Sequence, residues 1–431
     1  QSYPAIVSDG AGGAVMAWQD MRAGNYDIYA QRVDASGNVL WATDGVALCA
    51  ATGNQQSLKM ISDGFGGAIV AWMDYRDGNW DIYAQRVNAA GTAVWGGDGI
   101  AVCTASNIQS YPDLAADGAS GAIIAWKDLR NGSNYDIYAR RVDYGGSPLW
   151  TADGVAVCNA AGNQSAVSIV QDGLGGAIVA WDDQRSAGTS YLYAQRLSGS
   201  GSTSWTANGV FLCSMFGQQY GPKIVSDGIG GAIAVWMDYR ASAWDIYAQR
   251  VNKNGVMQWG TSGLAVCTEI YDQENPEIIS DGEGGAIMAW QDERDLAAGN
   301  DVYAQRVDAL GTVQWEAGGF EVSGLIADQN MVKMVSDECG GAIMVWHDKR
   351  TLESDIYAQW IDAAGGFGSL VPEINSVSDV PGDEGGSVYV SWAAVRPDLF
   401  MDPALSRYSV WRAIDPSRAA AILDAGASLI E

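Results

Sequence analysis

The residues best equipped for chemistry come as a recurring set. The phrase Trp-x-Asp-x-Arg occurs seven times, with its indole at Trp18, Trp72, Trp126, Trp181, Trp236, Trp290 and Trp346. In the second copy Asp74 and Arg76 follow Trp72, and Asp81 comes after a short loop. An indole beside two carboxylates and a guanidinium is the chemistry of a sugar site: the ring stacks on the sugar and the charged groups bond its hydroxyls. The same residues also suit a structural clasp, in which Arg bridges two Asp across a loop and Trp packs between repeats. A set kept intact in nearly every copy favours the clasp, because binding sites drift between copies and cores do not. The second Asp recurs at Asp27, Asp136, Asp245, Asp301 and Asp355, and Tyr191 replaces it in the fourth copy.

Arg32, Arg86, Arg141, Arg196, Arg250 and Arg306 form a second series of cations, with Trp360 in the seventh slot. Like charges at equivalent heights are costly unless paired, so these are read as partners of loop carboxylates. A glycine-rich turn, Asp-Gly-x-Gly-Gly in five copies and a variant of it in two, supplies Asp9, Asp63, Asp117, Asp172, Asp227, Asp281 and Asp337. Calcium needs several converging oxygens, and one Asp per turn does not provide them. Each Asp is therefore expected to close its own turn, with calcium the one ion considered and no cofactor assigned. The turn is also similar to the Asp-box of sialidase-like propellers, although its spacing differs. Cys49, Cys103, Cys158, Cys213 and Cys267 are equivalent and Cys339 stands apart, with no Cys-x-x-Cys; buried free thiols are expected. The single His347 fills the variable slot of its Trp-x-Asp phrase, so it is read as exposed. No carboxylate pair confined to one blade stands out, and no enzymatic activity is expected.

These residues need an element to hold them. The Trp positions are separated by 54, 54, 55, 55, 54 and 56 residues, a period that decides architecture. In the second repeat residues 56–62 read as a strand, 63–67 as a turn and 68–72 as a buried apolar strand. Residues 81–87 alternate as a third strand, and residues 92–95 with 99–103 form a broken fourth. Four short antiparallel strands in about 54 residues make one propeller blade. The fold expected is all-β: a seven-bladed β-propeller over 1–368, then the start of an Ig/fibronectin-like sandwich over 369–431. The seventh unit lacks the last strand, to be supplied by residues before Gln1, by Ser369–Val371, or not at all. In the tail residues 374–377 and 387–392 read as strands, 408–412 as a third, and 417–431 as a helix.

Composition narrows the classes. The chain has 431 residues, 54 of them Gly, and a formal charge of −27. Such a field repels a phosphate backbone, so nucleic acid is excluded as a partner. No run of 18 apolar residues exists, which excludes a spanning helix. The chain opens inside a repeat with no leader pattern, as a mature or trimmed product would.

The phrases Ser-Asp-Gly-x-Gly-Gly-Ala-Ile, Ala-Trp-x-Asp-x-Arg and Asp-Ile-Tyr-Ala-Gln-Arg-Val resemble a repeat of large secreted bacterial proteins. Those proteins carry fibronectin-like modules, to which Pro381–Gly386 is similar. The resemblance covers residues 1–368 and implies a propeller, export to the cell surface and no assigned catalytic residue. The function expected is a non-catalytic scaffold that binds other surface or secreted proteins, within a larger assembly. Its contacts would be made by loops that depart from the repeat: Arg185 to Tyr191 with the inserted Ala187, Arg294 and Leu296 to Asp301 with Ala297 and Ala298, His347 and Trp360. A multivalent lectin binding glycans is the alternative, and a glycoside hydrolase-like propeller the second.

Overall fold

The computed structural model describes residues 1–367, apart from 187, 297–298, 325 and 351–353, together with the backbone of two strands beyond them. The chain forms two compact units, Gln1–Gly366 and Phe367–Glu431. The first is a seven-bladed propeller. Six sheets have four antiparallel strands each, and the seventh has three, Gln329–Ser336, Ala342–Asp348 and Asp355–Ile361. In the second unit Ile374–Asp379 pairs antiparallel with Val388–Trp392. The expected third strand at 408–412, the helix at 417–431 and the closing segment Ser369–Val371 lie outside the described residues.

Blade 2 shows why these residues fold so. Its strands are Gln55–Ser62, Ala68–Asp74, Asp81–Val87 and Ile100–Cys103, paired in chain order. The run Ala68–Asp74 is buried throughout, as expected of a strand covered on both faces. Before it, Asp63 Oδ1 accepts from the amides of Phe65 and Gly67, both at 2.8 Å. Gly67 has no alternative, because a Cβ there would lie 2.1 Å from the carbonyl oxygen of Val87. The other carboxylate oxygen, Oδ2, accepts from Arg86 Nε at 3.0 Å. The same pairing joins Arg32 to Asp9, Arg141 to Asp117, Arg196 to Asp172, Arg250 to Asp227 and Arg306 to Asp281. In blade 7 the indole of Trp360 replaces the guanidinium, and its Nε1 donates to Asp337 Oδ2 at 2.8 Å. The fourth strand is shorter than expected: residues 92–95 contribute only a bridge between Ala93 and Val87.

The first strands of successive blades contact one another, so they ring the central channel and the fourth strands lie at the rim. Apolar side chains form six cores, one between each pair of blades from 1|2 to 6|7. Trp72, Trp126, Trp181, Trp236 and Trp290 are fully buried in them. A second Trp ties each of blades 1–6 to the next at the rim. Trp41 packs against Gly91, where a Cβ would meet its ring at 2.8 Å, and its Nε1 donates to the Ala89 carbonyl at 3.0 Å.

Candidate functional site

The seven Trp-x-Asp-x-Arg sets turn out to be clasps, of a different design from the one expected. Arg76 does not bridge Asp74 and Asp81. Its Nε and Nη2 both bond Asp74, at 2.9 and 2.6 Å, while Trp72 Nε1 donates to the same carboxylate at 2.8 Å. The guanidinium lies 3.8 Å above the Tyr83 ring and also donates to Cys49 Sγ of blade 1 at 3.3 Å. The guanidinium is held by these bonds and by stacking on one ring, and Trp72 beside it is fully buried, so its indole cannot stack on a sugar. Among the loop candidates, Arg185 and Arg294 are clasp members too, 3.7 and 3.8 Å above Tyr193 and Tyr303. The five repeat thiols are free and buried, and Cys339 is free and exposed.

The second Asp is buried apart from the clasp in five repeats, as Asp27, Asp81, Asp136, Asp245 and Asp301, and Asp355 is exposed. Asn79 donates to Asp81 Oδ1 at 3.1 Å. Burial pushes the Asp81 and Asp245 carboxyls up to about 6 and Asp301 to about 7, the last helped by nearby Glu321 and Asp295. Tyr191 packs edge-on to Phe211, with ring centroids 5.3 Å apart. Leu296 is exposed and lines a shallow cleft of about 140 Å³ with Gly299, Asn300 and Asp328. Ala187, Ala297 and Ala298 lie outside the described residues. His347 is exposed, opposite Asn330 in the ladder.

The chemically varied positions lie in the channel wall, which the sequence reading passed over. Each first strand is bulged two residues after its leading Gln, and the residue there has left-handed backbone. These residues are Tyr3, Ser57, Tyr111, Ala166, Gly221, Asn275 and Met331, with φ between 49° and 67°. Non-glycine residues seldom adopt this conformation, and bulges of this kind cluster where a side chain must be re-aimed. The backbone repeats seven times but the side chains do not. Two positions on, the row reads Ala5, Lys59, Asp113, Ser168, Lys223, Glu277 and Lys333. Beside it on the second strands stand Gln19, Met73, Lys127, Asp182, Met237, Gln291 and His347.

Two clefts open in this wall. One, of about 610 Å³, spans blades 2–4 and is lined by Ser57, Lys59, Tyr111, Asp113, Lys127 and Ser165. The other, of about 360 Å³, spans blades 5–7 and includes Lys223, Asn275, Glu277, Gln291 and Lys333. Four of the six lysines of this acidic chain therefore face the channel. In the second cleft Lys333 and Lys223 pair with Glu277. In the first, Lys127 Nζ sits 4.0 Å from the Tyr135 ring centroid and 5.3 Å from that of Tyr111. Burial lowers the Lys127 ammonium pKa. Burial also raises the Asp113 carboxyl, against the opposing pull of Lys59 and Lys223. Asp182, opposite Ser165, is 5% exposed, accepts from the Gly221 amide at 3.0 Å, and is pushed well above the usual carboxylate range by burial. A depressed amine and raised carboxyls in one wall are the ingredients of proton transfer. Among the described residues no group of three or more His, Cys, Asp or Glu could hold a metal ion.

No family model and no curated protein matches the sequence. Solved structures do. The chain is similar to a polysaccharide lyase described as an ulvan lyase, with TM-score 0.52, 12% identity, and 85% of this chain and 94% of that one covered. A structure of an ulvan lyase bound to -[GlcA(1-4)Rha3S]- matches with TM-score 0.51, 11% identity and coverages of 83% and 92%. The polysaccharide lyase Uly1 matches with TM-score 0.51, 8% identity and coverages of 83% and 89%. At these identities the likeness is one of fold. It nonetheless corrects the expectations of a non-catalytic scaffold and of no enzymatic activity. Both rested on seven uniform blades, the lack of a catalytic constellation and the tail, whereas these three solved structures are polysaccharide lyases.

Proposed function

We propose that this protein is a carbohydrate-active propeller that binds an acidic polysaccharide in the channel cleft of blades 2–4 and cleaves it there. The observation that carries the reading is the pair Lys59 and Lys127 beside Tyr111, in a chain whose net charge is −27. At physiological salt the overall repulsion of an acidic polymer is screened within about 8 Å, so local cations decide what enters. The fold likeness to ulvan lyases supports the same substrate class. In this reading the Lys59 ammonium draws in and holds a uronate carboxylate, and Lys127, whose pKa burial lowers, takes the proton from C5 in its amine form. The electron pair forms a C4–C5 double bond, the C4–O4 bond breaks, and the Tyr111 hydroxyl returns a proton to the leaving oxygen. No water or oxidant is consumed. Export and a fibronectin type III-like tail from residue 369 belong to the same proposal.

The test is incubation of the full chain with acidic and neutral polysaccharides, following the absorbance of unsaturated uronate and new reducing ends. Lys127→Met is expected to lower the rate by about 10²–10⁴ with the fold unchanged by circular dichroism. If no acidic polysaccharide is bound or cleaved, the reading fails.

A further inference from the structure

The two clefts of the channel wall follow one design, repeated three blades apart. Blade 2 contributes Lys59 beside Met73, and blade 5 contributes Lys223 beside Met237 at the same positions. Pro112 and Asp113 of blade 3 correspond to Pro276 and Glu277 of blade 6, and Val167 of blade 4 to Val332 of blade 7. A lysine followed by a carboxylate on the next first strand therefore occurs in both clefts. The groups assigned to proton transfer do not. Gln291 stands where Lys127 does, and Asn275 where Tyr111 does. A carboxamide has no proton to exchange near neutral pH, but it donates and accepts hydrogen bonds. Lys333 replaces Ser168 and adds a second cation to the row.

The second cleft is ordered for binding. Gln291 Nε2 donates to Asn330 Oδ1 at 3.0 Å, and its Oε1 accepts from the Met331 amide at 3.1 Å and from Asn275 Nδ2 at 3.3 Å. Asn275 is exposed, and its Oδ1 accepts no hydrogen bond among the described residues. Two ammoniums share one carboxylate: Lys333 bonds Glu277, and Lys223 Nζ lies 3.9 Å from the same oxygen. Each ammonium has three donors, so both keep donors for a ligand. The lining, two lysines against one glutamate, is locally positive in a chain of net charge −27. Asp113, raised by burial, is opposed by Lys59 of its own cleft and by Lys223 of the other, so the clefts lie within electrostatic reach of each other.

We infer that the cleft of blades 5–7 is a second, non-cleaving subsite that holds another uronate of the polysaccharide bound in the first. Lys223 and Lys333 take the carboxylate, Asn275 accepts from a sugar hydroxyl, and Glu277 is the resident carboxylate that the uronate displaces. A chain that engages one cleft gains effective concentration at the other, whereas a lone anion competes with Glu277 without that gain. The substrate class rests on the proposed function, but binding at this cleft is measurable without cleavage.

The test titrates a hyaluronate tetrasaccharide, which carries glucuronate, into the full chain with Lys59→Met and Lys127→Met, so that the first cleft is silenced. The expected result is saturable binding at one tetrasaccharide per chain, with no binding of its carboxyl-reduced counterpart. Adding Lys223→Met and Lys333→Met should weaken binding at least about tenfold. Adding Glu277→Gln instead should strengthen it about fivefold, a gain that a misfolded chain cannot give. Absence of binding to the first-cleft variant at about 10 mM tetrasaccharide, equal binding of the carboxyl-reduced sugar, or indifference to the Lys223 and Lys333 changes overturns the inference. Retained binding by that variant, with no acidic polysaccharide cleaved by the unaltered chain, supports this subsite and overturns the catalytic reading alone.

Discussion

At the residue scale, the buried carboxylates behave differently according to what meets them. Asp20 is bonded by Arg22 and Trp18 and held well below the usual range, whereas Asp301 has a buried Oδ1 without a hydrogen bond among the described residues. The folded-state pKa of Asp301, about 7, lies above its ordinary value, so ionising it costs the folded state. Its contribution to stability is complete below about pH 4 and is lost as pH rises through about 7. Asp301→Asn should therefore stabilise the protein by about 2 kcal/mol at pH 8 and hardly at all at pH 4, as read by urea unfolding at both pH values. The thiols make a second prediction. Burial pushes Cys49, Cys103, Cys158 and Cys267 up to about 12, so they are protonated as well as inaccessible. A thiol reagent should label Cys339 alone in the native chain and all six cysteines after unfolding. Two labelled sites in the native chain would contradict the packing described.

At the element scale, the sequence showed plainly what recurs and hid what varies. Blade count, strand order and the turn carboxylates were legible because each copy repeats the same solution: the Asp63 turn, the buried Ala68–Asp74 strand and the Arg86 pair. The channel cleft was not legible from the same letters. Lys59 on one first strand and Tyr111 and Asp113 on the next occupy segments that read as plain alternation, and their bulges are backbone geometry that no residue type announces. The signal available was the slot-by-slot mismatch of charge, Lys59 against Asp113 against Lys223, which an alignment of the seven first strands displays. Arg185 and Arg294 misled for the opposite reason: loop insertions drew notice to arginines whose side chains are fixed inside the clasp. The rim link gives this scale its prediction. Trp95→Ala removes a 4%-exposed ring from Gly146 and the hydrogen bond from Nε1 to the Tyr144 carbonyl. It should cost about 3–5 kcal/mol, measured by chemical denaturation.

At the scale of the whole molecule, charge opposes compactness while the cores maintain it. A chain at −27 repels itself, so added salt should stabilise the fold and raise Tm by several degrees between about 0.05 and 0.5 M NaCl. The same salt should weaken capture of an acidic polymer at Lys59. Opposite responses to one variable separate the global field from the local site, and a Tm that falls with salt would contradict this account. The path of the chain has a wider consequence. In blades 1–6 the repeat begins at the axis and ends at the rim, so its opening residues line the channel and its closing residues join it to the next blade. A duplicated repeat thus arrives with its attachment ready and its inner face free to diverge. The seven bulge positions from Tyr3 to Met331 form a ring of addresses at which specificity can be rewritten one blade at a time.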